Sequence, residues 1–99
     1  MKLTSKSFML TLEETITVGE LKTTLVAQVM GTKNGFDIDF MDNYDISYMG
    51  IEIKGYDNWK KFRAFHKEMG IDFDVHFSKK FDEIFTEEAV KVYVDEIKF

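Results

Sequence analysis

The stretch GFDIDFMDNYDISYMG, residues 35–50, decides how the first half of the chain is read. It alternates apolar and polar residues, holds four aspartates and carries no lysine or arginine. Alternation with period two marks a strand with one buried face. Met41-Asp42-Asn43 in its middle suits a three-residue hairpin loop with Asn43 left-handed. On that reading Phe40 faces Tyr44, Ile38 faces Ile46 and Phe36 faces Tyr48.

Toward the N-terminus, Asn34-Gly35 suits a type I′ turn and Gly19-Glu20 a type II′ turn with glycine first. Pairing outward from these turns sets Val18 against Leu21, Leu12 against Ala27, Leu10 against Val29 and Val29 against Phe40. All three turns then put one apolar set on one face, an agreement that a one-residue slip would destroy. Gly50 reads as a bulge or strand end, because Ile51 and Ile53 change parity.

Beyond residue 54 the spacing turns helical. Asp57 is a suitable N-cap, Trp59, Phe62, Phe65 and Met69 form a stripe, and Gly70 ends the helix. Asp72 or Asp74 caps a second helix with the stripe Phe73, Phe77, Phe81, Ile84 and Phe85. Thr86 caps a third segment, with Glu87 and Glu88 in the first turn where the helix dipole favours them and Val90, Tyr93, Val94 and Ile97 as its stripe. The run VKVYV also has strand propensity, so residues 87–98 read as helix or strand. The fold class is α+β: a four-stranded antiparallel β-meander over about residues 7–53, with two to three C-terminal helices packed on one face. Residues 1–99 form a single domain, with the sheet in 1–54 and the helical layer in 55–99.

Composition supports one well-filled core, with 44% hydrophobic and 15% aromatic residues. Cysteine is absent, which excludes disulfides and thiolate metal sites. No signal-peptide pattern or membrane-length apolar run is found, so the expectation is a soluble cytoplasmic protein. The net charge of −5 argues against direct nucleic-acid binding. Its placement is uneven: Asp37, Asp39, Asp42, Asp45 and Glu52 fall in residues 36–53 with no basic residue among them. The excess of Lys60, Lys61, Arg63 and Lys67 over Asp57 and Glu68 makes residues 55–71 basic.

If the helices cover one sheet face, the other meets water or a partner. The register sets Met9 opposite Met30, Glu13 opposite Val26, Met41 opposite Gln28, and Asp39 beside Met30 and opposite Asp45. Asp37 lies next to Thr32 and Ser47, and Thr11, Thr15, Thr17 and Thr24 surround the patch. Like charges directly opposite on adjacent strands are destabilising, and a basic partner would relieve an Asp39–Asp45 pair while fixing its own register. Methionines supply adaptable apolar contact. The plain alternative is that the aspartates solubilise the surface and deter unwanted association of sheets.

Catalytic and metal readings fail on the residues. An EF-hand loop starting at Asp37 would have Met41 at position 5 and Asp42 at position 6, where a ligand and glycine are required. His66 borders a helical apolar stripe, which points to a partly buried structural role, and His76 stands in DFDVH, whose aspartates are explained by capping. Ser47 and Ser78 lack a nucleophile elbow, and no glycine loop cradles phosphate. WKKFRAFHK mixes basic and aromatic residues as single-strand binders do, but its aromatics sit at core spacing. Its cations Lys60, Arg63 and Lys67 form a solvated face that would suit an acidic partner or a second copy.

No motif assigns the chain to a family. In being compact, acidic and free of cysteine it resembles small phage or mobile-element inhibitors, including anti-CRISPR proteins and DNA mimics. That likeness implies a non-enzymatic inhibitor or modulator of a basic protein, such as a nucleic-acid-binding one. Asp37, Asp39 and Asp45 would supply charge and Met9, Met30 and Met41 apolar contact, with no cofactor and no metal. The alternative is a structural or self-assembling subunit that uses the outer sheet face or a sheet edge. A monomer or a homodimer fits either reading.

Overall fold

A computed structural model describes residues 6–41 and 45–97 of the chain. The fold is α+β, an antiparallel sheet followed by three helices, and the sheet has five strands rather than four. Strands β1 (Ser7–Val18) and β2 (Leu21–Thr32) form a hairpin of two twelve-residue strands. Its register is the one the sequence implies, with Val18 paired to Leu21, Leu12 to Ala27, Leu10 to Val29 and Met9 to Met30. Gly19 takes φ +58° at the first turn position, as a type II′ turn requires. β2 is the central strand, and every second residue from Leu21 to Val29 is buried.

The second turn sits one residue earlier than the Asn34-Gly35 signal implies. Thr32 pairs with Gly35, so Lys33-Asn34 is the turn and β3 (Gly35–Met41) moves by two residues along β2. Val29 meets Ile38 instead of Phe40, and Gln28 meets Asp39 instead of Met41. None of Lys33, Asn34 or Gly35 takes a positive φ, so no left-handed Asn-Gly pair is needed, and the Asn34 N–H donates to Thr32 Oγ1 at 3.1 Å. A two-residue shift keeps every side chain on its expected face. The close approach here depends on Gly31: a Cβ would stand 2.6 Å from Phe36 Cα, 2.8 Å from Phe36 Cβ, and nearer still to the Gly35 carbonyl oxygen. Because two of those atoms are backbone, relief requires the hairpin to open. Gly31→Ala is therefore expected to cost about 1–3 kcal/mol, in the range of overpacked sites, read as a lower urea midpoint. An unchanged midpoint would mean that the two strands do not approach as closely as described.

The third hairpin expected from the sequence does not form. β3 pairs with Val26–Thr32, and β4 (Ile46–Tyr48) pairs with the same strand further on, Tyr48 with Leu21 and Ile46 with Thr23. Ile38 therefore faces Val29 rather than Ile46, Phe36 faces Gly31 rather than Tyr48, and Phe40 faces Ala27. Asp39 is not opposite Asp45. Residues 42–44, with Asp42, Asn43 and Tyr44, lie outside the described residues. Between Val26–Met41 and Thr23–Ile46 the register gains two residues, an even number, so Ile46 and Tyr48 return to the inner face. A hairpin and this continuation satisfy the same alternation. The choice follows from β2, whose Leu21, Thr23 and Leu25 are 0%, 3% and 2% exposed. A hairpin at 41–43 would leave their strand open along that side.

The two arrangements separate by crosslinking, since the chain has no native cysteine. Lys22 and Ser47 are directly paired, and paired positions in an antiparallel ladder lie within disulfide reach. Lys22→Cys/Ser47→Cys is expected to oxidise to an intramolecular disulfide, and Asp39→Cys/Asp45→Cys to stay reduced. The opposite result would restore the hairpin.

β5 (Ile51–Ile53) pairs with β4 through a two-residue turn, with Met49 at φ 51° and Gly50 at φ 79°. Both values are left-handed, as in a type I′ turn, so Gly50 belongs to a hairpin turn rather than a bulge. The Met49 N–H donates to the Glu20 carbonyl at 3.0 Å and ties this turn to the first.

Helix α1 (Tyr56–Glu68) starts after Gly55, whose φ of 86° turns the chain out of β5 without a side-chain cap. Asp57 lies in the first turn and is not the N-cap. The face α1 buries is Trp59, Phe62 and His66, whereas Phe65 and Met69 are 60% and 65% exposed. Both sets fit helical spacing, and His66 takes the inner place by satisfying its polar atom: its Nδ1–H donates to the Phe62 carbonyl at 2.9 Å. α2 (Phe73–Ile84) is capped by Asp72, which accepts from the N–H groups of Asp74 and Val75. α3 (Glu87–Val94) is a helix despite its β-branched run, because Thr86 caps it and Val90 and Val94 share its buried side. Tyr93 of the expected stripe is 52% exposed.

The helices lie along the inner face in chain order. Tyr48 packs on Phe62 and His66 of α1, Phe40 on Phe81 of α2, and the β2–β3 turn with the start of β3 borders Lys91 and Val94 of α3. The result is a slab of 57 × 26 × 22 Å with a radius of gyration of 16.9 Å, against about 13 Å for a compact domain of this length. Its long outer sheet face carries no described helix.

Candidate docking surface

Strand pairing arranges the outer face in rows. Met9, Met30 and Asp37 form one row across β1, β2 and β3; Thr11, Gln28 and Asp39 form the next; Glu13, Val26 and Met41 form the third. Toward the other end lie Thr15 with Thr24, their hydroxyls 3.3 Å apart, then Thr17, Lys22, Ser47 and Glu52. Met9 is 62% exposed, Met30 46% and Met41 38%. The Gln28 amide Nε2–H donates to the Met9 sulfur at 3.0 Å and holds that side chain across the strands.

The structure brings Met9, Met30, Asp37 and Asp39 together, with Met41 one row further. Asp45 is set apart from them, exposed and one residue before β4, with its carbonyl accepting from Thr23 Oγ1. On the described strands of this face Glu13, Asp37, Asp39 and Glu52 stand against Lys22 alone. Thus the acidic character expected of the face survives, but the repulsive pair that would have concentrated it does not.

The basic side of α1 is differently committed. Arg63 pairs with Asp74 at 3.3 Å and stands 6.0 Å from the Trp59 ring centroid. Lys67 reaches Asp72 at 3.8 Å. Two of the three cations named from sequence therefore join α1 to α2, while Lys60 has no ion pair among the described residues.

One concave feature was not legible in the sequence. A cleft of about 480 Å³ opens where β3 stops and β4 begins, between Thr23–Leu25, Phe40, Tyr56, Trp59, Phe77 and the Arg63–Asp74 pair. Its residues come from four elements distant in sequence, so no local pattern marks them. His66 is held elsewhere by the Phe62 carbonyl, and His76 is exposed on α2. Among the described residues no three of His, Asp and Glu converge to hold a metal ion. No described helix is long and apolar enough to cross a membrane.

These features define a small two-layer α+β domain, with helices on one sheet face and no described helix on the other. Comparison with protein-family models, with curated proteins and with solved structures finds no match.

Proposed function

We propose that the chain is a small acidic protein-binding module without catalytic activity, an inhibitor or modulator of a protein with a basic surface, of which nucleic-acid-binding proteins are one kind. One observation carries this reading: the outer face sets three exposed methionines in rows beside Asp37 and Asp39. Carboxylates on such a face steer a basic partner and fix its orientation, and flexible thioether side chains fit themselves to the partner's apolar surface. The compositional likeness to small phage and mobile-element inhibitors, anti-CRISPR proteins among them, points the same way by analogy.

The test is capture from a nuclease-treated host lysate by the wild-type chain and by Asp37→Lys/Asp39→Lys/Asp45→Lys, with circular dichroism on both. Retention of a basic protein by the wild type alone supports the reading. Equal retention by the folded variant contradicts it.

A second reading, self-assembly through a sheet edge, draws on β1, whose twelve residues pair on one side only among the described residues. Glu14, exposed on the inner side of that edge, opposes it, since an inward-pointing charge is a common guard against edge pairing. A monomer mass that is constant with concentration would exclude it.

A further inference from the structure

We infer that the basic partner is held as an added strand on the free edge of β3; this rests on the docking reading above and specifies how the partner binds. β2 has β1 on one side and β3 and β4 on the other, and no described strand lies beyond β3. Val18 and Leu21 flank a two-residue turn and so exchange hydrogen bonds. Alternation along β2 then turns Leu21 and every second residue toward β1, and Lys22 through Thr32 in the same step toward β4 and β3. The partners of that second set on β3 are Gly35, Asp37, Asp39 and Met41. Phe36, Ile38 and Phe40 are left with their N–H and C=O groups pointing off the sheet, an edge prepared for an extended segment.

The chemistry of this edge differs from that of β1. Its inward positions are all apolar: Phe36 and Ile38 are half-buried, and Phe40 is 42% exposed although it packs on Phe81 at 4.7 Å. No proline, lysine or inward charge guards β3. Its outward positions are Asp37 and Asp39. A strand added here would place apolar residues beside Phe36, Ile38 and Phe40 and, alternating with them, residues beside the two carboxylates. The complement is an extended segment that alternates lysine or arginine with apolar residues. A second copy is disfavoured in the registers that overlap most of β3. Antiparallel self-pairing about Ile38 puts Asp37 opposite Asp39 twice, and moving the axis to either aspartate sets it against itself, which is destabilising.

The probe is a capped peptide as long as β3 that alternates lysine and valine, compared with a peptide of the same composition in which the lysines are contiguous. Each is titrated into the full 15N-labelled chain, with affinity and amide exchange recorded. Strand addition requires the alternating peptide to bind about tenfold tighter than its isomer, a preference of about 1.4 kcal/mol. It also requires the Phe36, Ile38 and Phe40 amides to become protected. Equal binding of both peptides without that protection overturns strand addition and leaves docking on the outer face standing. Binding of neither peptide overturns it as well, and the docking reading is then judged by the lysate capture alone. A doubling of mass without peptide, with the Phe36, Ile38 and Phe40 amides protected in the dimer, assigns the edge to a second copy and overturns the inference.

Discussion

Trp59→Ala is expected to remove about 3–5 kcal/mol of stability, the range for truncating a buried aromatic. A domain of this size holds about 5–15 kcal/mol in total, so the variant would be marginally folded or unfolded. The size of the effect follows from position. Trp59 is 3% exposed, and its ring lies 5.9 Å from those of Phe62 and Phe77 and 6.1 Å from that of Phe73. It is where α1, α2 and the sheet meet, and it walls the cleft at the β3–β4 break. In so thin a slab no second layer lies behind it to collapse into the space. Truncation would also leave the Arg63 guanidinium without the ring it stands near. Urea unfolding followed by circular dichroism reads the loss, and Trp59→Phe is expected to recover most of it. A loss below about 0.5 kcal/mol, the scale of ordinary surface changes, would show that the aromatic cluster is not the core.

Reversing the outer-face charge should separate stability from binding. Asp37, Asp39 and Asp45 are all exposed. Asp37→Lys/Asp39→Lys/Asp45→Lys is therefore expected to leave the unfolding free energy within about 0.5 kcal/mol per site. Affinity for the captured basic protein should fall at least about a hundredfold, because the change replaces attraction with repulsion across the same surface. Wild-type affinity should itself weaken as salt rises, since charges at an exposed rim are screened within about 8–10 Å at ordinary ionic strength. Unchanged affinity with unchanged stability would mean that the aspartates only solvate the face.

What the sequence conveyed depended on whether a local signal was unique. Gly19 admits one tight turn, and the alternation on either side fixed the β1–β2 register residue by residue. Asp72, Thr86 and Gly70 marked helix ends because capping is local chemistry. The 41–46 region misled because hairpin and continuation both preserve period-two parity. Only the tertiary demand of the buried end of β2 for a partner distinguishes them. Phe65 was misplaced for a related reason: it and His66 both border Phe62 at helical spacing, and the hydrogen bond to the Phe62 carbonyl that takes His66 fully inside is not visible in composition. For the candidate surface, Met9 beside Met30 was legible from one hairpin. Asp39 against Asp45 depended on the other and was wrong.

The most direct measurement is the affinity of the captured target for three chains: wild type, Asp37→Lys/Asp39→Lys/Asp45→Lys, and Lys60→Glu/Lys61→Glu on the helical side. Docking through the outer sheet face requires the first variant to lose binding and the second to keep it. Loss confined to the Lys60/Lys61 variant would contradict that account and move the interface to the helical layer.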